Sequence, residues 1–206
     1  LMADILRATQ SVPGFVEAAE IVLVEASPTL RDVQSTTLDG YTIRWLDTPD
    51  ELGEQPLYLV ANEFFDALPI RQFVRDDKGW RERHISHRNG ALSFGLGPTL
   101  PQPALSDRLD DTVDGDLVEN CTPLTGYMHP ISHRIATYGG AALIIDYGDW
   151  RSLGDTLQAL IGHKSVDPLT APGQCDLTAH VDFEKLALAA SPAKHSRVTP
   201  QGVFLE

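Results

Sequence analysis

The sequence has little of three things: cysteine, basic side chains and long apolar runs. Cys121 and Cys175 are the only cysteines in 206 residues. Two are too few for a disulfide framework or a thiolate metal cage, so we expect a reducing compartment. Lys and Arg number 16 against 29 Asp and Glu, a formal net charge of −13. This balance argues against nucleic-acid binding, because phosphates are met by clustered Lys and Arg.

No apolar run approaches the ~18 residues that a membrane span needs, and no segment is organised like a signal peptide. We therefore expect a soluble, intracellular protein. The sequence also contains no G-x-G-x-x-G loop, and its seven histidines show no ligand spacing that points to a metal site. A phosphate loop and a metal centre are not expected.

Short continuous apolar runs separated by helical patterns predict an α/β fold with a mostly parallel sheet. The clearest are "IVLV" at 21–24, "LYLVA" at 57–61 and "AALII" at 141–145. We expect residues 1–206 to form one domain with a core of residues 1–69 and 140–206. Residues 70–139 are predicted to be an inserted antiparallel and helical subdomain, in which "RDDKGWRERHI" and "SHRNGALSF" predict a hairpin.

Several local patterns give further expectations. Residues 98–120 combine proline with acidic residues, which predicts a mobile connection. "YMHPISHRIATYGG" predicts a helix that ends at its glycines, and Pro130 fits only if the helix begins there. Pro69 limits residues 62–68 to about one turn of helix, and Thr178 or Asp182 is expected to cap the last long helix.

The chain ends carry few boundary signals. "LMADILRATQ" lacks a residue that could cap a helix start, and "GVFLE" lacks a terminating residue. We expect both ends to be truncated.

Polar or acidic side chains follow three of the predicted strands: Glu25, Asp47, and the pair Asn62 and Glu63. In a Rossmann-like sheet the acid at the end of the second strand accepts hydrogen bonds from ribose hydroxyls, ~20 residues after a glycine-rich turn. Glu25 fits that role if such a turn precedes Leu1. An acid can also do no more than terminate a strand, and that alternative stays open.

Five stretches resemble successive motifs of the MidA-type S-adenosylmethionine-dependent methyltransferases: "VEASPTLR", "ANEFFDALP", "LIIDYG", "GDTLQAL" and "HKSVDPLTAPGQCDLTAHVDF". That family includes a mitochondrial protein-arginine methyltransferase needed for complex I assembly. The resemblance runs from Leu1 to Glu206 and implies a Rossmann-like class I methyltransferase fold. The family's glycine-rich cofactor loop, expected just before "LMADIL", is not in this sequence.

The resemblance implies that the cofactor is S-adenosyl-L-methionine, with Glu25 on its ribose, Asp47 near its adenine amino group and Asn62 beside them. A guanidinium acceptor needs carboxylates that hold the cation, orient one nitrogen and help to remove its proton. Glu63 is the first candidate. Asp66, three residues later, would face the same way on a helical turn, and Asn62 would orient the acceptor nitrogen. A local cap or ion pair is the alternative for Asp66.

Four further residues are candidates for substrate binding. Asp146 and Tyr147 end the "LIIDYG" strand at the same edge, and His163 and His180 lie in the motif-rich segment that would line the acceptor channel. Packing or loop hydrogen bonding is an equal alternative for the two histidines, and Tyr147 could simply cover the core.

The expected activity is methylation of an arginine in a protein partner. The resemblance implies a respiratory-complex subunit as that partner, in the cytoplasm of a bacterium or the mitochondrion of a eukaryote. One alternative is a non-catalytic assembly factor that binds its partner through residues 70–140. Another is a hydrolase that uses Glu63 and Asp66, although two acids on one turn do not flank a scissile bond from opposite sides.

Overall fold

The computed structural model describes residues 1–77 and 79–206. They form two compact units, Leu1–Gln55 and Pro56–Glu206. Helices occur together with parallel and antiparallel strand pairs, which confirms the predicted α/β class. The organisation as one domain with an insertion at 70–139 stays a prediction.

The first unit is a parallel strand pair with helices before and between its strands. Val24 lies opposite Leu46 at the carboxyl end of the pair, and a small core of Leu6, Ile21 and Leu38 holds the unit together. Its elements are α1 (Met2–Thr9), α2 (Phe15–Ala18), β1 (Ile21–Val24), α3 (Pro28–Thr37), β2 (Ile43–Leu46) and a 3-10 helix (Pro49–Glu51).

The second unit contains a parallel pair, an antiparallel sheet and several short strands. The strands are β3 (Leu57–Asn62), β4 (Arg71–Asp76), β5 (Gly79–Arg88), β6 (Ala91–Leu100), β7 (Leu117–Asn120), β8 (Gly140–Ile145), β9 (Gly148–Asp149), β10 (Gln158–Ile161), β11 (Lys164–Val166), β12 (Asp176–Thr178) and β13 (Val181–Asp182). The helices are a 3-10 helix (Pro103–Arg108), α4 (Leu124–Tyr138), α5 (Phe183–Ala189) and α6 (Gln201–Phe204).

Strands β3 and β8 pair in parallel along their full length, with Leu57 opposite Gly140 and Asn62 opposite Ile145. Gly140 begins β8 with a φ of +118°, and a Cβ there would lie 1.9 Å from the carbonyl oxygen of Leu57. Only glycine allows this close approach of the two backbones. The glycine that ends α4 is therefore followed by one that lets β8 begin at once.

The predicted antiparallel part is confirmed. Its strands lie in the order β6-β5-β4-β7, and its core contains Phe73, Trp80, Leu105 and Val118. In the predicted turn of "RDDKGW", Lys78 lies outside the described residues.

Short strands complete the second unit. Strand β9 pairs in parallel with β13, and β10 pairs in antiparallel fashion with β11 and β12. Asp182 ends β13 and caps α5, where its Oδ1 accepts the Lys185 N–H at 3.0 Å. Of the two predicted caps, Asp182 is the one that the structure uses.

The prediction that residues 98–120 form a mobile connection is wrong. Leu105, Arg108 and Val118 in this segment are each only 1% exposed. The Arg108 guanidinium donates to both carboxylate oxygens of Asp111 at 3.1 Å and to the Ser152 carbonyl at 3.0 Å. Composition suggested mobility, but these few buried side chains anchor the segment.

The predicted start of α4 at Pro130 is also wrong, because the helix begins six residues earlier at Leu124. An interior proline loses one backbone hydrogen bond, here the one to the Gly126 carbonyl. Leu124, Met128 and Ile131 are buried on this helix. The burial of that face outweighs the local preference of one residue.

We expect Arg108→Met to lower the free energy of unfolding by about 3 kcal/mol, because the change removes the cation beside Asp111 and Asp182. Nη1 of Arg108 lies 3.7 Å from Oδ2 of Asp182. Urea denaturation measures the effect. Arg88→Met, at an exposed arginine in β5, is the control and should change stability by no more than about 0.5 kcal/mol. Equal stability of both variants would mean that the segment contributes no fixed packing.

Candidate functional site

Glu25 and Asp47 lie at the carboxyl ends of the neighbouring parallel strands β1 and β2. The Glu25 N–H donates to the Leu46 carbonyl at 3.0 Å. Arg31 bridges the two positions, since its Nε donates to the Glu25 carbonyl at 2.6 Å and its Nη2 to Asp47 Oδ1 at 2.6 Å. The structure thus brings these two predicted residues together at one strand edge.

The Glu25 carboxylate is held in a fixed orientation. Its Oε1 accepts the Ser27 N–H at 2.9 Å, and its Oε2 accepts from Gln34 Nε2 at 3.1 Å. Gln34 is itself fixed by Trp45, whose Nε1 donates to Gln34 Oε1 at 2.9 Å. Ser27 also caps α3 by accepting the Leu30 N–H at 3.4 Å. A carboxylate oxygen has two lone pairs, so each oxygen can accept one more hydrogen bond.

Asp47 is more accessible than Glu25, with its side chain 74% exposed. Its partner Arg31 forms an ion pair that solvent screens, and such pairs contribute little to stability. The Asp47 N–H donates to Glu51 Oε1 at 3.2 Å. Asp47 is therefore fixed at its backbone and open at its carboxylate.

In the second unit, Asn62 is the last residue of β3, and Glu63 and Asp146 directly follow the carboxyl ends of β3 and β8. The ladder continues one step beyond Asn62, because the Glu63 N–H donates to the Ile145 carbonyl at 2.9 Å. Asn62 and Glu63 are exposed, and Tyr147 is 62% exposed. The prediction that Asn62 lies close to Glu25 and Asp47 concerns residues of both units and stays a prediction.

Residues 63–66, which we call the acidic loop, are held by Asp146. Oδ2 of Asp146 accepts the N–H groups of Phe65 at 2.9 Å and Asp66 at 3.3 Å, and Oδ1 accepts the Tyr147 N–H at 2.9 Å. Asp146 and Phe65 are 81 residues apart in sequence. A long-range side-chain contact therefore determines the course of this loop.

Residues 62–68, all of which the structure describes, form no helix, and the hydrogen-bonded turn from the Phe65 carbonyl to the Leu68 N–H at 3.3 Å begins only after Glu63. Glu63 has a φ of +50°, a left-handed conformation that an α-helix does not allow. The prediction that Glu63 and Asp66 share one helical face is therefore wrong. Glu63 is exposed, whereas Asp66 is 4% exposed, and the two carboxylates differ in environment.

Asp66 is a buried acid with an incomplete set of partners. Its Oδ1 has no hydrogen-bond partner in the described part of the chain. Burial is the main cause that raises the Asp66 pKa from its usual 3.8 to about 6, and the negative charges of Asp146 and Glu63 add to it. Burial also raises the pKa of Asp146, although the backbone N–H groups of Phe65, Tyr147 and Asp66 oppose the change.

A cavity of about 450 Å³ lies next to the acidic loop, with Phe65 in its wall. His180 is also in the wall, and its backbone N–H donates to Thr156 Oγ1 at 2.8 Å. The wall also includes Ile70, Glu119, Asn120, Cys121, Leu124, Asp182, Lys185 and Leu188. Of the four predicted substrate-binding residues, only His180 is among these described wall residues.

His163 lies elsewhere, in the turn between β10 and β11. Ile161 pairs with Lys164, so Gly162 and His163 form a two-residue turn, and both have positive φ. His163 is exposed there. His163 therefore has a structural role in a tight hairpin turn. Its role in substrate binding stays a prediction.

A buried polar network beside the cavity was not predicted from the sequence. Glu119 accepts from Gln72 Nε2 at 2.7 Å, from the Thr156 N–H at 3.1 Å and from the Thr156 hydroxyl. Gln72 Nε2 also donates to Asp155 at 2.8 Å, and Arg83 pairs with Asp155 at 2.5 Å. The motif "GDTLQAL", which includes Asp155 and Thr156, was the available signal.

No group of three or more His, Cys, Asp or Glu side chains in residues 1–77 and 79–206 could hold a metal ion. No helix over the same residues has the length and apolar character needed to cross a membrane.

Parallel strands that end in acidic side chains are typical of α/β proteins that bind nucleotide cofactors at the carboxyl edge of the sheet. Residues 1–201 match the family described as "Putative S-adenosyl-L-methionine-dependent methyltransferase". The chain belongs to this methyltransferase family, which confirms the resemblance found in its motifs.

Curated relatives point to the same family. The chain is 35% identical to "Protein arginine methyltransferase NDUFAF7, mitochondrial" of Danio rerio over 90% of its own length and 50% of that protein. The protein of the same name in Homo sapiens is 32% identical over 90% of this chain and 48% of its own. The chain thus spans about half the length of these relatives.

Solved structures support the fold. A Burkholderia thailandensis protein crystallised with S-adenosyl-homocysteine has a TM-score of 0.75 and 29% identity, over 92% of this chain and 51% of that one. A native crystal structure from the same organism gives a TM-score of 0.75 and 30% identity, with 92% and 54% coverage. The predicted methyltransferase fold is confirmed.

We expect Asp66→Asn to stabilise the protein at pH 7 by about 1 to 3 kcal/mol, a range set by the shift of the Asp66 pKa. Because the folded-state pKa is raised, ionisation of Asp66 favours the unfolded state. That penalty is absent below about pH 4 and complete above about pH 6. Asparagine is neutral throughout, so the gain should disappear at pH 4.

Urea denaturation at pH 4 and pH 7 measures this difference. Asp176→Asn, at an exposed aspartate in β12, is the control and should show no such pH-dependent gain. An Asp66→Asn protein that is less stable than the parent at pH 7 would show that the buried charge is compensated.

Proposed function

We propose that the protein is an S-adenosyl-L-methionine-dependent methyltransferase that modifies an arginine of a protein partner. The observation that carries the proposal is the family match over residues 1–201. Two further findings support it. Relatives that match 90% of the chain are named protein arginine methyltransferases, and a structural relative was crystallised with S-adenosyl-homocysteine, the demethylated form of this cofactor.

On the cofactor side, we assign Glu25 to the ribose hydroxyls and Asp47 to the adenine amino group, with Asn62 as a further candidate for cofactor binding. The Glu25 carboxylate fits a vicinal diol, because Ser27 and Gln34 fix both oxygens and each keeps a free lone pair. The exposed Asp47 carboxylate can accept from an amino group. When bound, the cofactor supplies a methyl group on a positively charged sulfur.

On the acceptor side, the protein must hold a guanidinium and take up the proton that its nitrogen loses. Glu63 suits the first task, since its exposed side chain makes no hydrogen bond or ion pair within the described residues. A free carboxylate can pair with the cation and receive the proton. We assign Asn62 to the orientation of the nitrogen. Asp66 adds negative charge from below the surface.

We assign His180 in the cavity wall and exposed Tyr147 to contacts with the acceptor polypeptide, with His163 and Asp146 as further candidates. The net charge of −13 favours a cationic partner over nucleic acid. The names of the relatives suggest a mitochondrial location in a eukaryote, and the corresponding location in a bacterium is the cytoplasm. A subunit of a respiratory complex is the proposed acceptor.

A non-catalytic assembly factor with the same fold is the second candidate. Ile85, Leu96 and Leu100 on β5 and β6 are between 43% and 58% exposed and offer an apolar surface to a partner. Calorimetric titration with S-adenosyl-L-methionine separates the two candidates, because only the enzyme requires cofactor binding. Mass spectrometry of peptides after incubation with labelled cofactor and cell extract would then identify the acceptor.

We expect Glu25→Ala to weaken cofactor binding by about 1.5 to 3 kcal/mol, the usual cost of losing hydrogen bonds to a charged group. Glu25→Gln should lie between this variant and the parent. Calorimetric titration measures both, and melting curves check that the variants are folded. Glu54→Ala, at an exposed glutamate of the first unit, is the control. Unchanged affinity in folded Glu25→Ala would remove Glu25 from the cofactor site.

We expect Glu63→Gln to lower methyl transfer by ~100-fold or more, the scale for loss of acid–base assistance, with little change in cofactor affinity. Glutamine keeps the size of the side chain but loses the charge that holds the cation. Turnover is measured by mass spectrometry of arginine methylation, with Glu54→Gln as the control. A merely structural Glu63 would give a lower melting temperature and full activity per folded molecule.

A further inference from the structure

Asp146 was expected to contact the substrate, but its carboxylate is already engaged. Both oxygens accept backbone N–H groups, from Tyr147 at 2.9 Å, Phe65 at 2.9 Å and Asp66 at 3.3 Å. Asp146 forms no ion pair with any of the described residues. A partly buried carboxylate with three backbone donors and no cation is suited to fixing the conformation of a loop.

Glu63 needs such support. Left-handed φ is unfavourable for a residue with a Cβ and persists where the surrounding structure fixes it. On its N-terminal side, Glu63 is tied to β8 by the 2.9 Å bond from its own N–H to the Ile145 carbonyl. On its C-terminal side, the next fixed point is the Phe65 N–H on Asp146. The strained residue therefore lies between two anchors on the same strand end.

The same anchor determines where the aromatic rings of the acidic loop point. Phe65 lies in the wall of the cavity, and its ring packs edge-on against Phe64 at a centroid distance of 5.2 Å. Phe64 packs in turn against Tyr127 of α4 at 5.6 Å. The loop thus presents Glu63 to solvent while it closes one side of the cavity with Phe65.

We propose that Asp146 is a positioning residue, which holds the acidic loop so that Glu63 faces the acceptor and Phe65 forms the cavity wall. This role rests on the proposed function, because Asp146 would affect methyl transfer only by positioning Glu63. Asp146 itself need not touch the acceptor.

The first test does not depend on activity. In Asp146→Asn the charge is lost, and the amide nitrogen cannot accept an N–H. We expect hydrogen exchange of the Phe65 and Asp66 amides, followed by NMR, to become at least ~10-fold faster. The matched control is Asp149→Asn, since the carboxylate of exposed Asp149 accepts the Trp150 N–H at 2.7 Å and no other hydrogen bond within the described residues. Unchanged exchange at Phe65 and Asp66 in Asp146→Asn would overturn the proposal.

The second test is a double-mutant cycle on methyl transfer, with cofactor affinity and melting temperature recorded for every variant. Asp146→Asn alone should lower kcat by ~10-fold to 100-fold, because small misplacements of a reacting group are costly. In the Glu63→Gln protein the same change should have less than about a twofold further effect. Asp149→Asn should leave kcat unchanged in both backgrounds.

The outcomes distinguish the two proposals. If Glu63→Gln retains full activity, the acceptor role in the proposed function fails. If Glu63→Gln loses activity but Asp146→Asn does not, the positioning role fails and the proposed function stands. The same conclusion follows if Asp146→Asn lowers kcat equally in both backgrounds. Lower stability of Asp146→Asn with full activity per folded molecule would also contradict it.

Discussion

The parallel pairing of β3 with β8 is the interaction on which the candidate acceptor site depends. Its last ladder bond, from Glu63 to Ile145, brings the chain after β3 next to Asp146. The backbone N–H groups that follow a strand need partners once the ladder ends. Here the Asp146 side chain accepts them, so the pairing of β3 with β8 determines the course of the acidic loop.

This arrangement has a cost in stability. Asp66 and Asp146 are both carboxyl groups whose pKa values burial raises, and neither has an ion-pair partner among the described residues. An interior group that is uncompensated in this way destabilises the folded state when it ionises. Such features are common where a protein keeps charge available for a ligand. Asp111 and Asp182 differ from them, because both lie beside the buried cation of Arg108.

The sequence was informative wherever local chemistry decides the structure. Apolar runs identified β1, β3 and β8, and the polar residues that follow the strands identified the strand edge, because an apolar run and its terminator are neighbours in the chain. The acidic loop could not be predicted in this way. Its course depends on Asp146, which is 81 residues from Phe65, whereas Pro69 and residue spacing indicated a helical turn. Pro130 and residues 98–120 were misjudged for the same reason, since tertiary burial outweighed local preference.

The two acidic strand ends differ in what they leave uncompensated. Glu25 has donors on both oxygens, and Asp47 is paired with Arg31, so this edge has largely balanced charge and free lone pairs, which suit neutral hydroxyl and amino groups. Glu63, Asp66 and Asp146 have no cation within ion-pair distance in the described residues. Burial is the main cause that raises the pKa of Asp66, and repulsion from the negative charges of Asp146 and Glu63 adds to it. A bound cation would relieve that repulsion, whereas a neutral ligand would not. The charge of these carboxylates is therefore a more direct argument for the proposed cationic acceptor than the net charge of the whole chain, whose distant charges solvent and salt screen.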